Sequence, residues 1–323
     1  MSKNPPFPPK PRDIAFLVFP DFQLLDAAGP IAAFEIANRE AKATYRLRVV
    51  AVAGGLVRSS SAVSMPAEPL SRLREADTLI LAGGQGTRAM MSNDALKASL
   101  KRLLLRVRRM SSVCSGAFLL AAAGLLDGKS ATTHWRQAPR LARLFPNVTV
   151  EPDRIHVRDG KLWTSAGVTA GIDLALAMIG EDLGEEIATA VAREMVVYAK
   201  RPGGQAQHSA LLDLDSENDR FAKLNAWMRE HLADDLSVER LASEAAMSER
   251  NFARAYAEET GVTPAKAVER LRADAARAAL ERGGQIQEIA RKTGFGDPER
   301  MRRAFIRLYG APPAALRRTL RHA

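Results

Sequence analysis

Near the C-terminal end, the apolar positions fall twice into the same pattern. Phe252, Ala255 and Tyr256 follow the three-and-four spacing of one buried helix face, and Met301, Ala304 and Phe305 repeat it. A shift of 49 positions superposes Phe252 on Met301, Arg254 on Arg303, Ala255 on Ala304, Gly261 on Gly310 and Pro264 on Pro313. Two similar helical units are therefore predicted. Each is preceded by a short amphipathic segment, 238–246 or 286–292, and a tight turn. Ser248 and Asp297 stand where an N-cap belongs, and Pro298 suits a first helical position. The outward face carries Arg250 and Arg254 in one unit, Glu299 and Arg303 in the other, four residues apart and so neighbours in space. Between the units, 264–280 reads as one helix without internal Gly. At about 1.5 Å per residue it spans roughly 25 Å, enough to hold two recognition helices about one DNA turn apart.

From 13 to 179 the pattern changes to short apolar runs alternating with helical stretches. Runs at 14–19, 47–52, 78–81, 110–113 and 162–164 are predicted strands. Helices are predicted at 30–39, 94–108, 116–123 and 169–179, with a further one at 185–199. Alternation of this kind predicts an α/β doubly wound, mainly parallel sheet with helices on both faces, followed by an all-α domain with two helix-turn-helix units. The domains divide as a Pro-rich disordered tail over 1–12, an α/β domain over 13–200, a polar linker over 201–220 containing Pro202, Gly203 and Gly204, a helical domain over 221–318, and a tail over 319–323.

Ligands of such sheets bind at the C-terminal ends of the strands, and three of those ends carry candidate chemistry. At Val113-Cys114-Ser115-Gly116 a strand turns into a helix, and small Ser115 and Gly116 permit a sharp elbow. A thiol there faces a helix N-terminus, which favours thiolate, although a lone buried cysteine is more often structural. The turn Ala82-Gly83-Gly84 can present backbone N–H groups to a carbonyl or carboxylate. Asp26 lies just before a predicted helix, as its cap or as part of a site.

The chain has 323 residues and a hydrophobic content of 46%, enough for two separate cores. A net charge of +10 favours an anionic partner. Nine Lys or Arg against two acids follow from Arg291 onward, although a solvated face can look the same. The single cysteine forbids an internal disulfide, and no apolar run has the length of a membrane span. The start lacks the apolar core of a signal peptide. A cytoplasmic protein without metal or cofactor is expected.

The phrases G-V-T-P, T-G-F-G and R-A-F-I-R-L-Y-G-A-P-P resemble the AraC/XylS-type DNA-binding domain over about 221–318. That resemblance implies a transcription factor whose DNA-facing positions are Arg250, Ala253 and Arg254 in the first unit and Glu299, Arg302 and Arg303 in the second. The family often has a larger or polar residue where Ala253 stands, so the first helix is expected to read fewer bases. The phrases F-P-D-F-Q-L-L-D-A-A-G-P, A-G-G-Q-G, V-C-S-G-A-F-L-L, A-T-T-H-W and T-S-A-G-V-T-A-G-I-D, spread over 14–207, resemble the N-terminal domain of GlxA-type regulators. Those have a PfpI-like, flavodoxin-like fold of the class I glutamine amidotransferase-like superfamily. By that resemblance Cys114 matches the elbow cysteine, Asp26 its acidic partner, and Gly83 and Gly84 the backbone-donor turn.

One departure from the pattern matters. Hydrolytic PfpI-like enzymes place a His directly after the elbow cysteine, where this chain has Ser115. His134 lies about twenty residues away, either reaching the pocket or orienting a loop. Without an adjacent base the acyl-transfer machinery is incomplete. Ligand-binding residues are thus expected at Asp26, Gly83, Gly84, Cys114, Ser115 and His134, with Cys114 and Asp26 the candidates for residual catalysis. The expected function is a transcriptional activator responding to an amino-acid-like or quaternary-amine effector, with double-stranded DNA, RNA polymerase and a second copy of the chain as partners. The alternative is an isonitrile hydratase- or amidase-like enzyme using Cys114 and carrying a DNA-binding domain.

Overall fold

Burial of both faces of one strand organises the first half of the chain. The structure is a computed structural model that describes residues 11–41, 44–197, 201, 221–309 and 311–315. In β1 (Arg12–Leu17) Ile14, Ala15, Phe16 and Leu17 are all fully or almost fully buried. Ala15 and Leu17 enter one apolar cluster and Ile14 and Phe16 another, as the two-residue period of a strand requires. A strand covered on both sides reads as a continuous apolar run, which is why this one is legible.

The strands that follow are β2 (Tyr45–Ala51), β3 (Gly55–Arg58), β4 (Ser64–Pro69), β5 (Thr78–Leu81), β6 (Arg109–Val113), β7 (Ser130–Ala131), β8 (Thr149–Val150), β9 (His156–Asp159) and β10 (Leu162–Ser165). Eight form one sheet in the order β3-β4-β2-β1-β5-β6-β10-β9. Pairing is parallel from β4 through β10, and β3 and β9 are antiparallel edges. The helices are α1 (Leu24–Glu40), α2 (Thr87–Met90), α3 (Asp94–Leu104), α4 (Ala117–Ala122), α5 (Ala138–Leu144), α6 (Ala170–Leu183) and α7 (Glu185–Glu194). One face of the sheet is covered by α1, α6 and α7 and the other by α3, α4 and α5. This is the doubly wound α/β fold expected.

Three differences from the sequence reading have physical causes. Helix α1 begins at Leu24 instead of 30, so Asp26 lies inside its first turn and Pro30 inside the helix. Proline costs that helix one backbone hydrogen bond, while its buried ring packs where Gly171 of α6 leaves room. The hairpin β3–β4 was not expected because Ser64-Met-Pro-Ala-Glu-Pro69 carries two prolines; its pairing with β2 is confined to Glu68 and Pro69. Arg12, assigned to the tail, is the first residue of β1. The rest of the expected tails and linker (1–10, 202–220 and 319–323) lies outside the described residues.

Contacts divide the chain into two compact units, Met1–Gln207 and His208–Ala323. The described secondary structure of the second is helical: α8 (Ala222–Glu230), α9 (Val238–Glu244), α10 (Glu249–Thr260), α11 (Pro264–Glu281), α12 (Ile286–Lys292) and α13 (Pro298–Tyr309). Ser237 caps α9 by accepting the Arg240 N–H at 3.3 Å, and Asp297 accepts the Glu299 N–H at 3.0 Å at the start of α13. Ser248 occupies the N-cap position of α10 but makes no side-chain cap bond. Gly261 ends α10 in the left-handed conformation, φ 73°. The long helix α11 serves two cores. Ala267, Val268 and Leu271 pack with α8, α9 and α10, while Ala273, Ala276 and Leu280 pack with α12 and α13.

A buried carboxylate joins the elements of the α/β unit. Asp182 of α6 accepts Arg109 Nη2 at 2.6 Å, the Tyr45 hydroxyl at 3.1 Å and Arg108 Nη2 at 2.8 Å. Arg12 Nη1 lies 3.0 Å from it as an ion pair without hydrogen-bond geometry. Removing one partner of a buried pair leaves the other charge uncompensated, so Asp182→Ala should cost about 3–5 kcal/mol. The measurement is urea unfolding followed at the α/β domain, where the midpoint should fall with an unchanged slope; a midpoint within error of wild type would contradict the hub.

Candidate functional site

The elbow after β6 is built from an unfavourable backbone conformation. Cys114 has φ 55°, in the left-handed region that residues with a Cβ rarely adopt. Opposite it, a Cβ on Gly167 would stand 2.3 Å from the Cys114 Cβ, so the loop after β10 can pass only because residue 167 has no side chain. The Thr133 hydroxyl donates to the Cys114 carbonyl at 2.7 Å and fixes the turn from the other side. Ser115 Oγ accepts the Gly84 N–H at 2.9 Å and lies 3.0 Å from the Thr87 hydroxyl.

Asp26 sits beneath the elbow and is fully buried. Its Oδ2 accepts the Gly83 N–H at 3.0 Å and its Oδ1 the Val168 N–H at 2.8 Å, and the Cys114 thiol is a further hydrogen-bond partner. One carboxyl from α1 therefore holds the loop after β5, the loop after β10 and the elbow cysteine. Burial opposes its charge more strongly than these bonds favour it, and the carboxyl is pushed up to about 6. The same burial, with the Asp26 charge alongside, pushes the Cys114 thiol up to about 12 against the favourable bonds from Ser115. This corrects the expected thiolate: the short helix N-terminus does not outweigh desolvation. The groups that act on the thiol are Asp26 and Ser115.

The expected donor turn also has a different role. The Gly83 and Gly84 N–H groups are already bonded to Asp26 and Ser115, and Asp26 is sealed from solvent. Above this frame a cleft of about 350 Å³ opens, into which Gly84, Cys114, Ser115 and His134 do face. His134 Nδ1 accepts the Arg136 N–H at 3.3 Å, which assigns the ring proton to Nε2. Residues that sequence reasoning did not single out line the same cleft: Gln23, Thr87, Arg88, Arg136, Gln137 and Arg140. The four-residue spacing of Arg136 and Arg140 was the available signal. Among the described residues, no cluster of His, Cys, Asp or Glu could hold a metal ion.

In the helical unit, α10 buries Phe252 and Tyr256 and α13 buries Met301, Ala304 and Phe305. Arg250, Arg254, Glu299, Arg302 and Arg303 are exposed, and Ala253 is half-buried. Arg254 reaches Asn251 at 3.3 Å, and Arg302 is held by Glu299 through two bonds of 2.7 and 2.9 Å. Arg303 shares a cleft beside α11 with Arg272, Arg300 and Arg307, where Glu269 is the single acid and pairs with Arg307.

A doubly wound α/β unit with an elbow cysteine, joined to paired helix-turn-helix units, defines a DNA-binding regulator built on an enzyme-like domain. Residues 12–181 match the DJ-1/PfpI family and residues 241–319 match the helix-turn-helix domain. The chain is similar to the HTH-type transcriptional regulator GlxA of Rhizobium meliloti (strain 1021), with 32% identity over 94% of this chain and 95% of that one. It is also similar to the isonitrile hydratase of Pseudomonas putida, 34% identical but over only 58% of this chain and 79% of the enzyme. A crystal structure of a THiJ/PfpI family protein from Pseudomonas syringae shares 31% identity with a TM-score of 0.53, covering 60% of this chain and 78% of that one. The chain belongs to the DJ-1/PfpI family, and with its helix-turn-helix domain it is a transcriptional regulator of the HTH type. No described helix is long and apolar enough to cross a membrane.

The Asp26 carboxyl gives a signed test. Its folded pKa lies above the unfolded value of about 3.9, so its contribution is complete below that value and is lost as pH rises through about 6, in total roughly 3 kcal/mol. His156, pushed down to about 4 by burial, acts in the opposite sense and loses its contribution as pH falls. Comparing wild type with Asp26→Asn cancels the histidine. The stability difference between the two should shrink by roughly 2 kcal/mol between pH 4 and pH 7; a difference independent of pH would show that Asp26 is not held protonated.

Proposed function

We propose that the α/β domain is a sensor whose cleft above Cys114 takes a small-molecule effector, and that the helical domain reads DNA with both of its units. The observation that carries the sensor reading is the state of the elbow. A thiol pushed up to about 12 and bonded to a buried carboxyl supplies little of the thiolate that attack requires. Beside it stands a formed cleft with polar walls. Similarity to the isonitrile hydratase is confined to part of the chain, whereas similarity to the regulator spans nearly all of it. In this reading Gly84, Cys114, Ser115 and His134 face the effector, while Asp26 and Gly83 hold the frame.

DNA reading is assigned to Arg250, Ala253 and Arg254 on α10 and to Glu299, Arg302 and Arg303 on α13. The support is their position opposite the buried faces of two helices that each follow a tight turn. The Glu299–Arg302 pair is exposed and worth little in water, so a phosphate or guanine can displace it. We further read the protein as a cytoplasmic activator that works with RNA polymerase as a homodimer. The edge hairpin β3–β4 and its turn, where Leu56 is 77% and Val63 49% exposed, are apolar surface available for pairing.

Replacing Arg254 or Arg303 with Ala should weaken operator binding by roughly 1–3 kcal/mol if each contacts a base edge. Footprinting should show protection in two adjacent major grooves on one DNA face. Protection of one groove, unaffected by Arg303→Ala, would sink the two-unit assignment.

Sensor and enzyme separate at Cys114. Cys114→Ala should retain effector-dependent reporter transcription, at most with a shifted effector concentration. Wild-type protein should show no more turnover of small isonitriles or amides than Cys114→Ala. Robust turnover lost in that variant would establish the enzyme reading instead.

A further inference from the structure

The wall of the cleft carries an imbalance of charge that neither the elbow nor the fold needs. Among the described residues, Arg88, Arg136 and Arg140 all line it, and no Asp or Glu does. No carboxylate pairs with any of the three among the described residues. The nearest acid in the site, Asp26, is fully buried, and its two oxygens are occupied by the Gly83 and Val168 N–H groups. Two of the guanidinium groups instead lie over aromatic rings. Arg136 lies 4.9 Å from the centroid of Trp135, and Arg140 lies 5.7 Å from that of Phe118.

A guanidinium over a ring keeps its N–H groups for a carboxylate or phosphate, which it can receive in a fork. Arg140 also occupies the Phe118 ring, the phenyl ring lining the cleft, which a quaternary ammonium would need for its cage. We infer that the effector is a compact anion carrying two acidic groups, such as a dicarboxylate, gripped by Arg136 and Arg140 with Arg88 facing them across the cleft. This rests on the sensor reading above and narrows it: the amine-type effector suggested by resemblance is the one this wall disfavours.

Cys114 reports on the wall, because it faces the cleft and is the single cysteine of the chain. The full-length protein is labelled with three methanethiosulfonates of similar size bearing a sulfonate, a trimethylammonium or no charge, each rate being divided by that for a free thiol. A potential of several kT at the wall should make the sulfonate at least about 10-fold faster than the trimethylammonium reagent. The ratio should fall with added salt and towards unity in Arg136→Gln, Arg140→Gln and Arg88→Gln.

These arginines are exposed or half-buried, and the unchanged rate of the neutral reagent checks that each variant keeps its fold. Equal rates, a preference for the cation, or a ratio indifferent to all three substitutions would overturn the anionic effector and leave the sensor reading standing. Because the buried thiol is largely protonated at neutral pH, all rates are taken at raised pH, where part of it ionises; failure of the neutral reagent to label wild type there would overturn both readings, since the cleft would then be closed to small molecules.

Discussion

The α/β unit depends on a single left-handed residue. Holding a non-glycine residue in that conformation costs of order 1–3 kcal/mol, and it persists only where its surroundings over-determine it. Here they do. Thr133 binds the Cys114 carbonyl, Gly84 binds the side chain of the next residue, and the bare backbone of Gly167 passes where any Cβ would collide. Asp26 closes the arrangement by accepting one N–H from each flanking loop. The ends of β5, β6 and β10 are thereby fixed to one another, and the cleft inherits its floor from that junction.

The same junction decides the chemistry. An elbow cysteine at a helix N-terminus ordinarily suggests an activated nucleophile, because a helix end stabilises a nearby negative charge by about 0.3–1 kcal/mol, up to roughly 2 in partly buried geometry. Moving a thiol from its ordinary value up to about 12 corresponds to a larger and opposite effect. A buried carboxyl next to a buried thiol cannot readily share two negative charges, so a proton is retained between them. What remains is a small, shaped floor whose thiol stays protonated beneath a cationic wall, a combination suited to binding an acid without reacting with it.

Much of this was legible in the sequence for a physical reason. Buried parallel strands such as β1 and β5 are continuous apolar runs, and recognition helices show a repeated three-and-four period, so both declare themselves locally. The elbow was visible through Ser115 and Gly116. What escaped depends on contacts distant in sequence: the protonation of Cys114 follows from its burial and then from Asp26, 88 positions earlier, and the N–H groups of Gly83 and Gly84 were committed to partners that spacing cannot reveal. The start of α1 was missed because Pro30 marks a helix boundary locally but is tolerated inside when its ring is buried. The wall of arginines was present in the sequence as surface charge, and only the fold turns it inward to a cleft.

The helical domain applies one constraint twice. Neither helix-turn-helix core has enough apolar surface of its own, and each completes itself on a different half of α11, with Leu271 serving the first and Ala273 the second. An uninterrupted helix of 18 residues spans roughly 27 Å. Because both cores are packed onto it, a change in its length or twist cannot be absorbed by a flexible joint. The separation and rotation of α10 and α13 are therefore set by the helical repeat of α11, just as the separation of successive major grooves is set by the repeat of DNA. In the function proposed above, helices coupled in this way favour a site presenting both half-sequences on one face at one spacing, and they do so within one chain.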